Sequence, residues 1–136
     1  MFFITTDSLE NTSKEYSYNR VKNMIERQKG KYWWEFIFLG ANIDAAAEAV
    51  KFGISEDRAA NFNCDSEGTR LNYAVVSETV SYMRKNSSVP LEWNEKIDKD
   101  FGDRKININL YINKSLIIRW HKKVPPYFHF IKSYCE

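Results

Sequence analysis

The chain has 136 residues, 43% of them hydrophobic and 15% aromatic, which supplies one core of ordinary domain size and excludes a disordered chain. No apolar run approaches the roughly 18–20 residues that span a bilayer, and Met1-Phe2-Phe3-Ile4-Thr5 lacks the basic region and long apolar stretch of a signal peptide. The net charge of +2 is unevenly placed: residues 1–103 sum to −4 and residues 104–136 to +6.

The first expected strand is Phe2-Phe3-Ile4-Thr5-Thr6, apolar on both faces in the manner of a central parallel strand. A polar loop follows. Ser17 is placed to cap a helix to about Lys29, with Val21, Met24 and Ile25 on one face and Gly30 as its stop. The second strand is Trp34-Glu35-Phe36-Ile37-Phe38-Leu39, closed by the turn Gly40-Ala41-Asn42. A second helix is expected from Ile43 to Phe52, with Asp44 in its first turn to complement the helix dipole and Gly53 as its stop. The third strand is Ala59–Asn63. Ser66 is expected to cap a third helix, Glu67 to Lys85, striped by Leu71, Val75, Val76, Val80 and Met83. Strands alternating with helices at this spacing imply right-handed crossovers and a parallel sheet.

The remainder reads differently. Asn86–Pro90 breaks the helical pattern, residues 91–103 are polar and charged, anchored only by Leu91, Trp93, Ile97 and Phe101, and the stretch 86–103 reads as a linker or irregular segment. The alternation Ile106, Ile108, Leu110, the Asn113-Lys114 turn and the run Ser115–Trp120 predict an antiparallel hairpin. Tyr127–Ile131 reads as one more short strand after Pro125-Pro126. The expected organisation is therefore an α/β unit over 1–85, a connecting segment over 86–103, and a basic β-rich tail over 104–136 packing on the same domain. The fold class is a partial doubly wound, Rossmann-like parallel sheet of three βα units plus the hairpin.

Two stretches resemble the von Willebrand factor type A family, in its small bacterial and phage-encoded members. They are Thr6-Asp7-Ser8-Leu9-Glu10-Asn11 and Trp34-Glu35-Phe36-Ile37-Phe38-Leu39-Gly40-Ala41-Asn42-Ile43-Asp44. Ala59-Ala60-Asn61-Phe62 and Glu67-Gly68 through Tyr82 look like that family's last strand and helix. The resemblance covers residues 2–85 and aligns with the C-terminal half of such a domain. With the crossover rule, it implies a doubly wound fold with the three strands in the order first, second, third, whose protein ligands dock at the carboxyl ends of the strands. The family holds a divalent cation with three loops. Only the third is matched here, by Asp7, and Ser8 stands where the family has Gly, so the resemblance implies no more than a remnant ligand. Magnesium takes near-octahedral oxygen coordination, and no metal site and no cofactor are expected.

Other chemistry is sparse. His121 and His129 lack cysteine or carboxylate company for zinc. Cys64 lies beside Asp65 and Glu67, acidic company that does not activate a thiol. Cys64 and Cys135 form no CxxC pair, which fits reduced thiols in a cytoplasmic protein. No Gly-rich phosphate cradle occurs. No acid–base pair or nucleophile can be assembled, so no enzyme is expected. Arg119, Lys122 and Lys123, interleaved with Trp120 and Tyr127, form a mix that can stack bases and contact phosphates. The same pattern fits a solvated strand edge guarded by lysines, and nucleic acid is not the partner expected.

The remaining candidate site is the rim at the carboxyl ends of the first two strands: Asp7, Ser8, Glu10, Asn11, Asn42 and Asp44. Open α/β sheets bind ligands at this end. An acidic rim favours a basic protein partner, although the same acids also complement helix N-termini. A three-stranded sheet leaves the Phe2–Thr6 edge open to the hairpin, a second copy of the chain, or another protein. The function expected is that of a non-catalytic protein-interaction module. The alternative is a small phage or mobile-element protein that binds and inhibits a host defence enzyme such as a CRISPR nuclease.

Overall fold

The computed structural model describes residues 1–7 and 17–105. Met1–Asp103 form one compact unit, and Arg104–Glu136 are set apart as a second. The expected hairpin and the short strand at Tyr127–Ile131 lie outside the described residues.

Within the first unit the order is β1 (Phe2–Thr6), α1 (Tyr18–Tyr32), β2 (Phe36–Gly40), α2 (Ala45–Lys51), a 3-10 turn (Glu56–Arg58), β3 (Ala59–Asn61) and α3 (Ser66–Asn86). Residues 95–105 form a further helix, α4. The three strands are parallel in the order β1-β2-β3, as expected from the crossover rule taken together with the resemblance. The register pairs Phe2 with Phe36 and Phe38 with Ala59.

Side-chain alternation divides the core between the two faces of the sheet. Phe36 and Phe38 point to the face covered by α1 and α2, where they meet Ile25, Ala45, Ala49 and Ile54. Ile37 and Leu39 point to the other face and meet Val75 of α3 together with Val89, Trp93 and Ile97. The segment over 86–103, expected as a linker, is thus part of the core. Trp93 is only 5% exposed, and its indole Nε1 donates to the carbonyl of Asp57 at 2.9 Å. The physical reason is a sparse stripe: Val89, Trp93 and Ile97 recur every four residues, and the charged residues between them face water.

Helix ends differ from expectation in three places. Ser17 does cap α1, its Oγ accepting from the Arg20 amide. Gly30 does not end that helix. The terminator is Trp33, held in the left-handed region at φ 56°, whose N–H donates to the carbonyls of Gln28 and Lys29. That turn brings Trp34 onto Phe2, with ring centroids 5.6 Å apart. Asp44 is the N-cap of α2, accepting from the Ala47 amide at 3.0 Å. Asp65 caps α3 in place of Ser66, accepting from the Gly68 amide at 2.7 Å. A Cβ on Gly68 would lie 2.1 Å from the Asn63 carbonyl oxygen, so only glycine lets α3 start this close to β3.

Burial also corrects the reading of β1. It bonds β2 on one side only, and no strand among the described residues pairs with its other side. Phe2 is 51% exposed. Among the described residues, this all-apolar strand is an edge strand. Finally, α2 is tied down by Glu48, a buried carboxylate that accepts from the Tyr18 hydroxyl and pairs with Lys51 at 2.6 Å. Burial alone would raise the Glu48 pKa, but the bonds from Lys51 and Tyr18 hold it below the usual carboxylate value.

Candidate functional site

The carboxyl end of the sheet is assembled by three short devices. Ala41 donates to the Thr6 carbonyl, and Phe62 donates to the Gly40 carbonyl, so the three strands finish together. Gly40 has no room for a Cβ, which would fall within 3 Å of Ile43 and Ala45. The chain can therefore fold back over the strand end into α2. Asn61 clips that fold-back in place: its amide nitrogen donates to the Ile43 carbonyl and its Oδ1 accepts from the Ala45 amide. A polar side chain at the last position of β3 thus fixes the loop that carries Asn42 and Asp44.

Of the six rim residues expected from the sequence, Asp7, Asn42 and Asp44 are described, and all three are exposed. Asp7 follows β1, while Asn42 and Asp44 follow β2, so the sheet brings them to one end. Ser8, Glu10 and Asn11 lie outside the described residues, as do Arg119, Lys122 and Lys123. Asn42 stands at φ 58°, a conformation that asparagine tolerates better than most residues. Asp44 commits one carboxylate oxygen to its helix cap. Asp65 and Glu67, at the start of α3, add two more acids at the same end.

Below this rim runs a groove of about 440 Å³ between β1 and α3. Its apolar wall is Phe3, Leu39, Phe62 and Val76, and Asp7, Cys64 and Thr69 also line it. Asn72 lines it too, only 6% exposed, and its Oδ1 is buried with no hydrogen-bond partner. An unmet buried acceptor costs about 1–3 kcal/mol, so this oxygen calls for a donor from outside the described residues. Asn72 is not among the residues that the sequence singled out. The available signal was its place inside the apolar stripe of α3, directly after Leu71 and three residues before Val75.

Among the described residues, no group of three or more His, Cys, Asp or Glu side chains is placed to hold a metal ion. No described helix is long and apolar enough to cross a membrane. The groove thus combines an apolar slot, one buried acceptor and the carboxylate of Asp7. No protein-family model, curated protein or solved structure matches this chain.

Proposed function

We infer that this chain is a non-catalytic protein-interaction module, akin to part of a von Willebrand factor type A domain, which captures a basic segment of a protein partner at the carboxyl end of its sheet. The observation that supports this reading is the unmet Asn72 Oδ1 in an apolar groove whose mouth carries Asp7. A partner's lysine or arginine side chain suits such a place. Its methylenes lie on Phe3 and Val76, and its N–H groups meet the Asn72 oxygen and the carboxylates above. The exposed Asp44, Asp65 and Glu67 widen the negative field and speed the encounter at low salt.

The test separates charge from folding. Asp44 and Asp65 are helix caps, and asparagine caps as well as aspartate. The triple substitution D7N/D44N/D65N therefore removes three charges and keeps the caps. The full chain is immobilised, and partners from the source cell are captured and identified at low and moderate salt. A single dominant partner, lost in the triple variant and weakened by salt, supports the reading. Capture unchanged in a folded triple variant overturns the rim, and Asn72→Leu with capture unchanged overturns the groove.

A further inference from the structure

We propose that two copies of this chain pair through β1, antiparallel, about a two-fold axis that passes Ile4, to make one continuous six-stranded sheet. The geometry begins with the ladder. Phe2 donates to the Glu35 carbonyl, and the Thr6 carbonyl accepts from Ala41. In a parallel pair this alternation turns the N–H and C=O groups of Phe2, Ile4 and Thr6 toward β2. Those of Phe3 and Thr5 therefore point away from it, to the side where no described strand lies. With Ile4 on the axis, Phe3 of one copy faces Thr5 of the other. The two residues exchange both backbone bonds, and symmetry repeats the exchange, giving four bonds in all.

The strand is built for such pairing and not against it. Phe2–Thr6 contains no charge and no proline, the devices that usually blunt an edge. Ile4 meets its own copy, and Phe2 faces Thr6, on the face covered by α1 and α2. The same register sets Met1 opposite Asp7.

Charge selects the antiparallel arrangement. Acids gather at the carboxyl end of the sheet, where Asp44 and Asp65 cap helices. Bases gather at the amino end, in the last turns of α1 (Lys29, Lys31) and α3 (Arg84, Lys85). Stacking two copies in parallel sets like ends together, whereas the two-fold sets unlike ends together. One pairing is specific. Arg84 lines a hollow with Met1 and the 86% exposed Trp33. The register delivers Asp7 of the second copy to Met1, and so to Arg84. Neither Asp7 nor Arg84 has an ion-pair partner among the described residues, and the dimer supplies two such pairs.

Sedimentation velocity of the full chain over a range of concentrations is the measurement. A monomer–dimer equilibrium is expected. Asp7→Arg and Arg84→Asp should each weaken it roughly tenfold, because each reversal touches two symmetric contacts and adds repulsion. The double swap D7R/R84D should restore it. Thr5→Pro should leave a folded monomer, since the Thr5 N–H faces away from β2 and proline is tolerated on that side of an edge strand. Asp7 belongs both to the groove mouth and to the dimer contact, so Arg84 carries the separation. Arg84 lines no part of the groove, so loss of the dimer in R84D with partner capture intact separates the two. The proposal is overturned by a wild-type monomer at every soluble concentration, by a dimer that persists in folded Thr5→Pro, or by a double swap that restores nothing.

Discussion

β1 and β2 have nearly interchangeable sequences and opposite fates. Phe2-Phe3-Ile4-Thr5-Thr6 and Phe36-Ile37-Phe38-Leu39-Gly40 are both apolar on both faces, yet every residue of β2 is buried and no residue of β1 is. Composition within a strand sets what it tolerates, whereas neighbours set what it gets. β2 has a strand on each side and helices on both faces. Among the described residues, β1 has one neighbouring strand only. In the proposed dimer, the second copy covers this surplus hydrophobicity of β1.

This contrast can be broken by substitution. Phe38→Ala should cost about 3–5 kcal/mol, the range for emptying a fully packed aromatic site, whereas Phe2→Ala, at a half-exposed position, should cost about 1 kcal/mol or less. Urea unfolding of both variants at one low protein concentration checks the ratio. Near-equal losses would mean that β1 is covered in solution even when dilute. Next in size, Trp93→Ala should cost about 3 kcal/mol, because it opens the β2 face covered by α3 and leaves the Asp57 carbonyl without its donor. The same urea curves measure it, and a loss below about 0.5 kcal/mol would return residues 86–103 to the status of a linker.

Gly68→Ala should cost about 1–3 kcal/mol, as overpacking does. It should act through α3 and leave the α1 and α2 face intact. Thermal unfolding should show a drop of several degrees, since each kcal/mol shifts a unit of this size by about 4–8 °C.

The smallest effect expected is one of pH. Glu48 has a folded pKa below its unfolded one, so its contribution to stability is complete above about pH 4.3, the unfolded value. It is lost as pH falls through the lower, folded value. The melting temperature of the wild type should therefore fall more steeply below about pH 4.3 than that of Glu48→Gln. Parallel acid limbs would show that Lys51 and Tyr18 do not hold that carboxylate.

The three strands were legible because Gly40 and Gly53 punctuate the chain and the strands are apolar runs of strand length; their order came from the crossover rule together with the resemblance. The caps were half legible. Ser17 stood where a cap was expected, but Asp65 and Ser66 are adjacent residues of similar capping strength, and the close approach of Gly68 to Asn63 selects the first. The stop at Gly30 misled because a glycine ends a helix only when something beyond it needs a turn. Here Trp34 must reach Phe2, and Trp33 supplies the turn. Of the candidate site, the ends of β1 and β2 could be read, because carboxylates directly after parallel strands must lie at one end. The groove could not, since Asn72 and Val76 meet Phe3 only through the packing of α3. The position of α3 relative to β1 is a tertiary outcome that no local pattern encodes.

The register of the sheet also bears on how the chain acquires its shape. Phe2 must find Phe36, thirty-four positions away, while Phe38 must find Ala59, twenty-one away. Loop-closure entropy separates these searches by only about 0.4 kcal/mol. The deciding difference is what each closure brings with it. Joining β2 to β3 also seats the Asn61 clip and the alanine face of α2. Joining β1 to β2 adds a half-covered strand. The β2–α2–β3 unit is therefore expected to form first, with β1 docking onto it afterwards. During synthesis at about 5–20 residues per second, β1 is made first and waits several seconds for β2 to emerge. Over that interval an extended Phe-Phe-Ile segment has no strand on either side, and a chaperone that grips such segments competes directly with β2 for it.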